Sequence, residues 1–321
     1  MRVVRGASRR RYATEHFKMK KLFKLILVFI FEKTGIDGIR FFKKIRSTGD
    51  FIGTISRVEQ VKLLEIYRRQ SADNQGEKPN FENIYFRNFS QNGEDGIILY
   101  IFATIGFTNR KVIEIGCGNG VECNSANLLI HHDFEGLLID ADPMNIRYGK
   151  AYYRRHRDVR TWQPQLVDSL VTAENINNLI KQNDFQGAID LLSIDIDGMD
   201  YWVWKAIETV SPRVVVAECN NLWEPEAVVT IPYDPNFVSD APEYYAGASL
   251  AALNKLAREK GYRLIGANRY GFNAFFLRND IDRAQKYFPE VTPAACQTHP
   301  YCVYARTVKK EKIAQREWTN I

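Results

Sequence analysis

The residues with the clearest chemical potential lie in the stretch 111–142, KVIEIGCGNGVECNSANLLIHHDFEGLLIDAD. Its order is a buried strand, an acid, a glycine turn, a helix, a second buried strand and a second acid. Glu114 precedes Gly116, Gly118 and Gly120, which alternate with other residues. Glycines in such a turn let the backbone approach a ligand because no Cβ stands in the way. This order is typical of the first half of a nucleotide-cofactor site.

The glycine spacing distinguishes between cofactors. Dinucleotide-binding turns have the pattern G-x-G-x-x-G, in which the third glycine allows close helix packing and the helix N-terminus faces a pyrophosphate. Here Asn119 is followed by Gly120 and Val121, so that register is not met. S-adenosylmethionine (SAM) has no pyrophosphate. Glu114 suits its ammonium group and Asp140 suits its ribose hydroxyls, so the spacing favours SAM over NAD.

Acidic and amide side chains also follow two later strands. Asp195 and Asp197 follow one strand, and Glu218 and Asn220 follow the next. Because ligands bind beyond the C-terminal ends of strands in open α/β sheets, we expect these four to line an acceptor site. Carboxylates this close repel one another unless a cation is present. SAM supplies one cation, and Mg²⁺ or Mn²⁺, which prefer such oxygen ligands, is the other candidate.

Asp195 and Asp197 are the candidate catalytic residues. Either one of them acts directly as a general base on a substrate hydroxyl, or the four residues hold a metal ion that acidifies it. The structural alternative is that these acids cap the following helices or contact solvent.

The elements that position these residues alternate between strand and helix. Strands are predicted at 112–115, 136–139, within 159–168, and at 189–194, 213–217, 262–265 and 273–277. Helices are predicted from a Ser90 cap to about residue 106, at 122–131 and 143–156, from 173 after a Thr172 cap, from 199, and at 249–260. Alternation of this kind predicts a mostly parallel sheet with helices on both faces. Gly271, between the last two strands, predicts an antiparallel hairpin at the edge.

Residues 220–247 show no clear regular element. A structureless loop of this length inside a compact domain is often a binding lid. Its aromatic residues would suit a sugar ring or another flat apolar substrate; alternatively, they pack among themselves over the sheet. They are Trp223, Tyr233, Phe237, Tyr244 and Tyr245.

Composition divides the chain into four parts: a basic, partly apolar arm (1–50), a helix and linker (51–83), a catalytic domain (84–285) and a C-terminal extension (286–321). The net charge of +6 is uneven, because residues 1–50 carry 14 Lys+Arg and 4 Asp+Glu, which leaves 30 and 34 for the rest. The body is therefore mildly acidic, which argues against a specific nucleic-acid partner.

The arm contains an apolar run, LFKLILVFIF at 22–31, after Lys18, Lys20 and Lys21. It is about half the length of a transmembrane helix, and Lys24 interrupts it. No small-residue cleavage site follows. We expect a cytoplasmic protein whose arm packs on the body or a partner, or else touches a membrane surface through residues 18–46.

The five cysteines are scattered and odd in number, which fits a reducing compartment. Cys296, His299 and Cys302 have the spacing of a metal-site fragment, but a closed zinc site needs four ligands and only three are local. We therefore expect ordinary structural roles for them.

Several motifs together resemble the FkbM-like class I SAM-dependent methyltransferases. They are SQNGEDGI (90–97), VIEIGCGNGVECNS (112–125), LLIDADP (137–143), DLLSIDIDGMDYWVWKAI (190–207), PRVVVAECN (212–220), GASLAALNKLAREKGYRLIG (247–266) and NAFFLRND (273–280). The resemblance covers about 84–280 and implies a seven-stranded Rossmann-like sheet. The candidate cofactor-binding residues are then Gln91, Glu94, Glu114, Gly116, Gly118, Asn119 and Asp140.

The resemblance implies O-methylation, often of sugars. We therefore expect a SAM-dependent O-methyltransferase of a sugar or glycan hydroxyl, with metal assistance as an open question. A non-saccharide or protein acceptor, a SAM-binding protein without turnover, and an NAD-dependent oxidoreductase are the alternatives.

Overall fold

A computed structural model describes residues 26, 29, 53–72, 80–281 and 285–321. Almost all of the basic arm, including nearly all of the proposed membrane-contact segment 18–46, lies outside the described residues, as do residues 73–79 of the predicted helix and linker. Among the described residues, no helix is both long and apolar enough to cross a membrane.

The core of the protein is a seven-stranded sheet in the order β3-β2-β1-β4-β5-β8-β7. The first five strands pair in parallel, and β8 is antiparallel to both β5 and β7. The strands are β1 (Lys111–Ile115), β2 (Glu135–Asp140), β3 (Gln165–Asp168), β4 (Gly187–Ile194), β5 (Val210–Glu218), β6 (Val229–Thr230), β7 (Tyr262–Ala267), β8 (Asn273–Arg278) and β9 (Thr319–Asn320). This order and the antiparallel hairpin confirm the predicted class I methyltransferase fold.

Helices cover both faces of the sheet. They are α1 (Arg57–Ala72), α2 (Phe81–Ile84), α3 (Glu94–Ile105), α4 (Ala126–His131), α5 (Pro143–Arg155), α6 (Ile176–Gln182), α7 (Asp200–Ala206), α8 (Leu250–Glu259), α9 (Pro293–Cys296) and α10 (Pro300–Ala314). One apolar layer joins the α1, α3, α4 and α5 side chains, and the other joins those of α6, α7 and α8. The alternating side chains of β1 and β4 are buried in both layers, which is why these strands are mostly apolar.

Three helices begin three or four residues later than predicted. Helix α3 begins after Gly93, and the Ser90 hydroxyl binds Asp95 instead of capping the helix. Helix α4 begins at Ala126 because the preceding residues form the end of the glycine turn. Helix α6 begins at Ile176, and Thr172 accepts a bond from the N–H of Asn175.

Residues 220–247 contain one short strand that was not predicted. Strand β6 pairs antiparallel with β9 near the C-terminus, with Thr230 opposite Thr319. The partner strand is about ninety residues away in sequence, so no local pattern reveals the pairing. The C-terminal extension is therefore part of the structure that holds this loop.

Candidate active site

The register of the sheet brings the acidic strand ends together. Ile115 pairs with both Ile139 and Ile194, and Ile194 pairs with Ala217. The residues that follow these positions therefore emerge at one edge, where Asp140, Asp195 and Glu218 line a common cavity of about 500 Å³. Adjacent strand ends are the usual position of a ligand in this kind of sheet.

The glycine turn after β1 is held tightly against the ends of β2 and β4. The N–H of Gly116 donates to the carbonyl of Ile139 at 2.8 Å. A Cβ on Gly116 would lie 1.6 Å from the carbonyl oxygen of Asp195, so only glycine allows this contact. Gly118 has a φ of +55°, and a Cβ on it would meet no protein atom within 4 Å. The turn therefore leaves open space beside Gly118, on the wall of the cavity.

Asp140 connects the turn to the cavity. One carboxylate oxygen accepts the N–H of Gly118 at 2.8 Å. The other accepts the N–H of Asp142 at 2.9 Å and the side-chain amide of Asn145 at 3.0 Å. These bonds fix the carboxylate, and the oxygen that binds Gly118 keeps a second lone pair for a ligand hydroxyl.

Asp195, Asp197 and Glu218 form a carboxylate cluster on the other side of the cavity. One oxygen from each lies within 4.8 Å of the others. Burial raises the pKa of Asp195 to about 8, with further increases from the charges of Asp200 and Asp197. Burial also raises the pKa of Glu218 well above its usual range, with the Asp195 charge as the next cause. At neutral pH the Asp195–Glu218 pair therefore retains a proton unless a cation replaces it.

Asp200 holds the loop that presents this cluster. Its carboxylate accepts the N–H of Ile196 at 2.9 Å and of Gly198 at 3.0 Å. Burial raises the pKa of Asp200 to about 6, which these backbone bonds partly offset. Asp197, between them, has a φ of +52°. An Asp in this conformation is uncommon and is found where surrounding bonds impose it.

The cavity is acidic throughout. Of the residues that the structure describes around it, none is Lys, Arg or His. The acids that line it are Glu122, Asp140, Asp142, Asp195, Asp197 and Glu218. A cavity with this lining suits a ligand that carries positive charge or hydroxyl groups, and disfavours an anion.

Besides Gly116, Gly118 and Asp140, one further predicted cofactor-binding residue lines this cavity, and another lies behind it. Gln91 lines the cavity. The buried Glu114 lies behind the turn, where it accepts the N–H groups of Asn124 and Ser125 at 2.9 and 2.7 Å. It therefore shapes the turn and does not line the cavity.

Three other predicted site residues bind protein groups outside the cavity lining. Glu94 is fully buried and accepts the side-chain amides of Asn268 at 2.6 Å and Asn273 at 2.9 Å. Asn119 accepts the N–H of Val121 within the turn. Asn220 donates to the carbonyl of Ala246 at 3.0 Å, so its amide holds the 220–247 loop and is not part of the carboxylate cluster.

The aromatic residues of this loop mostly pack together. The rings of Trp223 and Tyr245 lie 5.0 and 5.3 Å from the ring of Trp318, and Tyr233 lies 5.7 Å from Trp202. Among them Phe237 lines the cavity, where its ring covers Gly198. The loop thus covers the cavity with one aromatic face and uses the rest for its own packing.

The Cys296–Cys302 segment shows structural contacts. His299 caps α10 by accepting the N–H of Tyr301 at 3.1 Å. The thiol of Cys302 donates to the carbonyl of Tyr270. Among the described residues, the group of His, Cys, Asp and Glu side chains close enough to hold a metal ion is Asp195, Asp197 and Glu218.

Sequence reasoning missed several lining residues. Glu122 follows the glycine turn, Ser169 follows β3 and Asn145 lies in the first turn of α5. In the sequence, only their position indicates that they line the cavity, because each comes just after a strand or turn that ends at this edge. Asp142, two residues beyond the end of β2, both lines the cavity and caps α5 by accepting the N–H of Met144.

No protein-family model matches this chain, and no curated protein sequence matches it. Among solved structures, magnesium protoporphyrin IX methyltransferase from Synechocystis PCC 6803 with bound SAM is 11% identical over 79% of this chain and 96% of its own, with a TM-score of 0.38. The N-terminal domain of EvdMO1 with bound SAH is 12% identical over 66% of this chain and 94% of its own, with a TM-score of 0.39.

Spermidine synthase from Thermotoga maritima is 16% identical over 66% of this chain and 70% of its own, with a TM-score of 0.34. Likenesses this distant do not establish a shared activity. The strand order and the cavity define the protein as one with a class I methyltransferase fold and an acidic site at the edge where that fold binds ligands.

Proposed function

We propose that this protein is a SAM-dependent O-methyltransferase that acts on a sugar or glycan hydroxyl. The observation that carries the proposal is the position of the Asp195–Glu218 pair in the same cavity as Gly118 and Asp140. The wall with Gly118 and Asp140 then suits the nucleoside and amino-acid parts of SAM. The wall with the Asp195–Glu218 pair suits an acceptor hydroxyl that must lose a proton. The sequence resemblance to FkbM-like enzymes supports the same assignment.

The residues present fit SAM. Asp140 would hold the ribose hydroxyls, because its carboxylate faces the cavity with both oxygens fixed. The open space beside Gly118 would admit the ligand without a clash. When bound, SAM supplies an electrophilic methyl group on a sulfonium centre. Glu122 and Gln91, which also line the cavity, would face its amino-acid part.

The carboxylate cluster manages the proton of the acceptor. With SAM bound, the acceptor oxygen would take the methyl group from the sulfonium sulfur, and the hydroxyl proton would pass to the ionised member of the Asp195–Glu218 pair. A base with a pKa raised toward neutrality is well matched to this step. Most of the rate enhancement would come from holding the hydroxyl in line with the methyl group.

A divalent metal ion is a second way to use the same residues. Asp195, Asp197 and Glu218 offer three oxygens within 4.8 Å of one another, which is a fitting donor set for Mg²⁺ or Mn²⁺. There the ion would lower the pKa of the substrate hydroxyl. The asparagine first expected as the fourth ligand, Asn220, is engaged with the 220–247 loop.

A saccharide acceptor is favoured by the combination of carboxylates and one aromatic face. Carboxylates accept hydrogen bonds from sugar hydroxyls, and Phe237 provides a flat apolar surface beside them. A small non-saccharide alcohol or a protein hydroxyl would use the same proton acceptor, so acceptors of these classes belong in the same assay.

The test is an activity assay with SAM and a panel of acceptors, with S-adenosylhomocysteine release and a mass gain of one methyl group as readouts. We expect Asp195→Asn to lower kcat by about 10²-fold or more while the Kd for SAM changes much less. Asp168→Asn is the matched control, because Asp168 also ends a strand at this edge but is exposed and does not line the cavity. Equal activity of the two variants would exclude Asp195 as the base.

Other outcomes identify the alternatives. Loss of activity with EDTA and its return with Mg²⁺ or Mn²⁺ would support the metal route, and full activity in EDTA would exclude it. SAM binding without turnover on the whole panel would indicate a non-catalytic SAM-binding protein. Tight binding of NAD(H) without binding of SAM would favour an oxidoreductase and contradict the proposal.

A further inference from the structure

A strongly basic surface lies at the end of α5 and in the loop that follows it. Residues 147–163 contain six Lys+Arg and one acid. The side chains of Lys150, Arg154, Arg157 and Arg160 are exposed. Trp162 is 69% exposed, which is unusual for a tryptophan. We call these five residues the basic face.

The basic face lies at the edge of the sheet opposite the cavity. Helix α5 starts beside the cavity at the end of β2 and runs to the edge where β3 begins. Its 13 residues span about 20 Å. The catalytic machinery and the basic face are therefore on opposite edges of the same sheet.

The basic arm joins the body at this same edge. The described body starts at Gly53, and Arg57 at the start of α1 donates to Asp133, just before β2, at 3.0 Å. The pKa of Arg57 is raised, first by this hydrogen bond and further by the nearby carboxylate of Asp158. Asp158 thus faces α1, and the start of α1 and the basic face are neighbours.

We propose that the basic face docks the protein on an anionic lipid bilayer. The arm carries 14 Lys+Arg against 4 Asp+Glu, so both parts present positive charge. A lipid surface is favoured over a nucleic acid because the arm also has the apolar run at 22–31. Trp162 adds an exposed indole, the side chain that partitions best into the headgroup region.

This docking fixes the orientation of the enzyme. With the basic face on the membrane, the mouth of the cavity lies on the far edge of the sheet and is open to the aqueous side. The acceptor would then reach the site from solution or from a long headgroup, and not from within the bilayer.

The experiment is vesicle co-sedimentation of the full chain with phosphatidylcholine vesicles, with and without phosphatidylserine. We expect binding only when phosphatidylserine is present, and weaker binding at high salt. The double variant Arg157→Glu, Arg160→Glu should lose at least about tenfold in affinity, since each basic residue near such a surface contributes about fivefold. Trp162→Ser should also weaken binding.

The control is Lys255→Glu, Lys286→Glu, which makes the same charge change at exposed positions at the other end of the sheet. It should bind vesicles like the unaltered chain, and circular dichroism should show that both double variants are folded. Equal binding by the Arg157, Arg160 variant would mean that the arm alone carries the interaction and would overturn the proposed face. Failure of the unaltered chain to bind anionic vesicles, or tighter binding to RNA than to vesicles, would overturn the lipid assignment.

Discussion

The buried Asp195–Glu218 pair lowers the stability of the folded protein in the absence of a ligand. The pKa of Asp195 is raised by burial from 3.8 to about 8, so the folded state binds a proton that the unfolded chain releases near pH 4. Stability therefore falls as the pH rises from about 4 to about 8. A site that destabilises its own protein in this way is typical of functional residues.

Replacing Asp195 with Asn should remove the part of this pH dependence that comes from Asp195. Below pH 4 the variant and the unaltered chain should melt at similar temperatures, because Asn resembles a protonated Asp. At pH 8, without SAM or metal ions, Asp195→Asn should melt at least about 2 °C higher. Thermal unfolding followed by circular dichroism across this range measures the difference. A variant that is no more stable than the unaltered chain at pH 8 would contradict the raised pKa.

At the residue scale, the sequence predicted that the carboxylates lie close together, because strand ends alone decide their positions. Asp195, Asp197 and Glu218 follow paired strands, and they lie together. Glu94 and Asn220 could not be predicted in the same way. Glu94 forms a hydrogen bond with Asn268, and Asn220 forms one with Ala246. Both partners lie in segments whose approach depends on the whole fold.

At the scale of elements, the glycine turn offers a controlled test of the cofactor site. Gly118 and Gly187 both have positive φ, and a Cβ on either would meet no protein atom within 4 Å. Alanine at either position should therefore lower the free energy of unfolding by about 1–2 kcal/mol through backbone strain. Only the methyl group at 118 would occupy the wall of the cavity.

We expect Gly118→Ala and Gly187→Ala to lower the free energy of unfolding by similar amounts, but only Gly118→Ala to weaken SAM binding, by about tenfold or more. Urea denaturation and isothermal titration calorimetry separate the two effects. If both variants bind SAM with unchanged Kd, the ligand does not lie against this turn.

The positions of the main strands could be predicted because each is a short apolar run between turn residues, and the parallel arrangement follows from the intervening helices. The pairing of β6 with β9 could not, because two-residue strands have no periodicity and their partners are far apart in sequence. The 220–247 loop is therefore the part of the fold that the sequence predicts least well, although it contributes Phe237 to the site.

For the molecule as a whole, charge is separated between its parts. Of the net +6, residues 1–50 supply 14 − 4 = +10 and the remainder 30 − 34 = −4. The cavity concentrates the negative part, since the described residues around it include six acids and no Lys, Arg or His. Positive charge is instead exposed at the opposite edge, on the basic face.

With the proposed function, this distribution predicts discrimination against anionic acceptors. A neutral sugar should be methylated with a kcat/KM at least about tenfold higher than the same sugar carrying a phosphate group, because like charges in a confined site repel strongly. The difference should narrow as ionic strength rises, while the KM for SAM stays the same for both acceptors. Steady-state kinetics at low and high salt measure both effects. A preference for the phosphorylated acceptor would show that a positive group, either a bound metal ion or part of the N-terminal arm, faces the cavity during turnover.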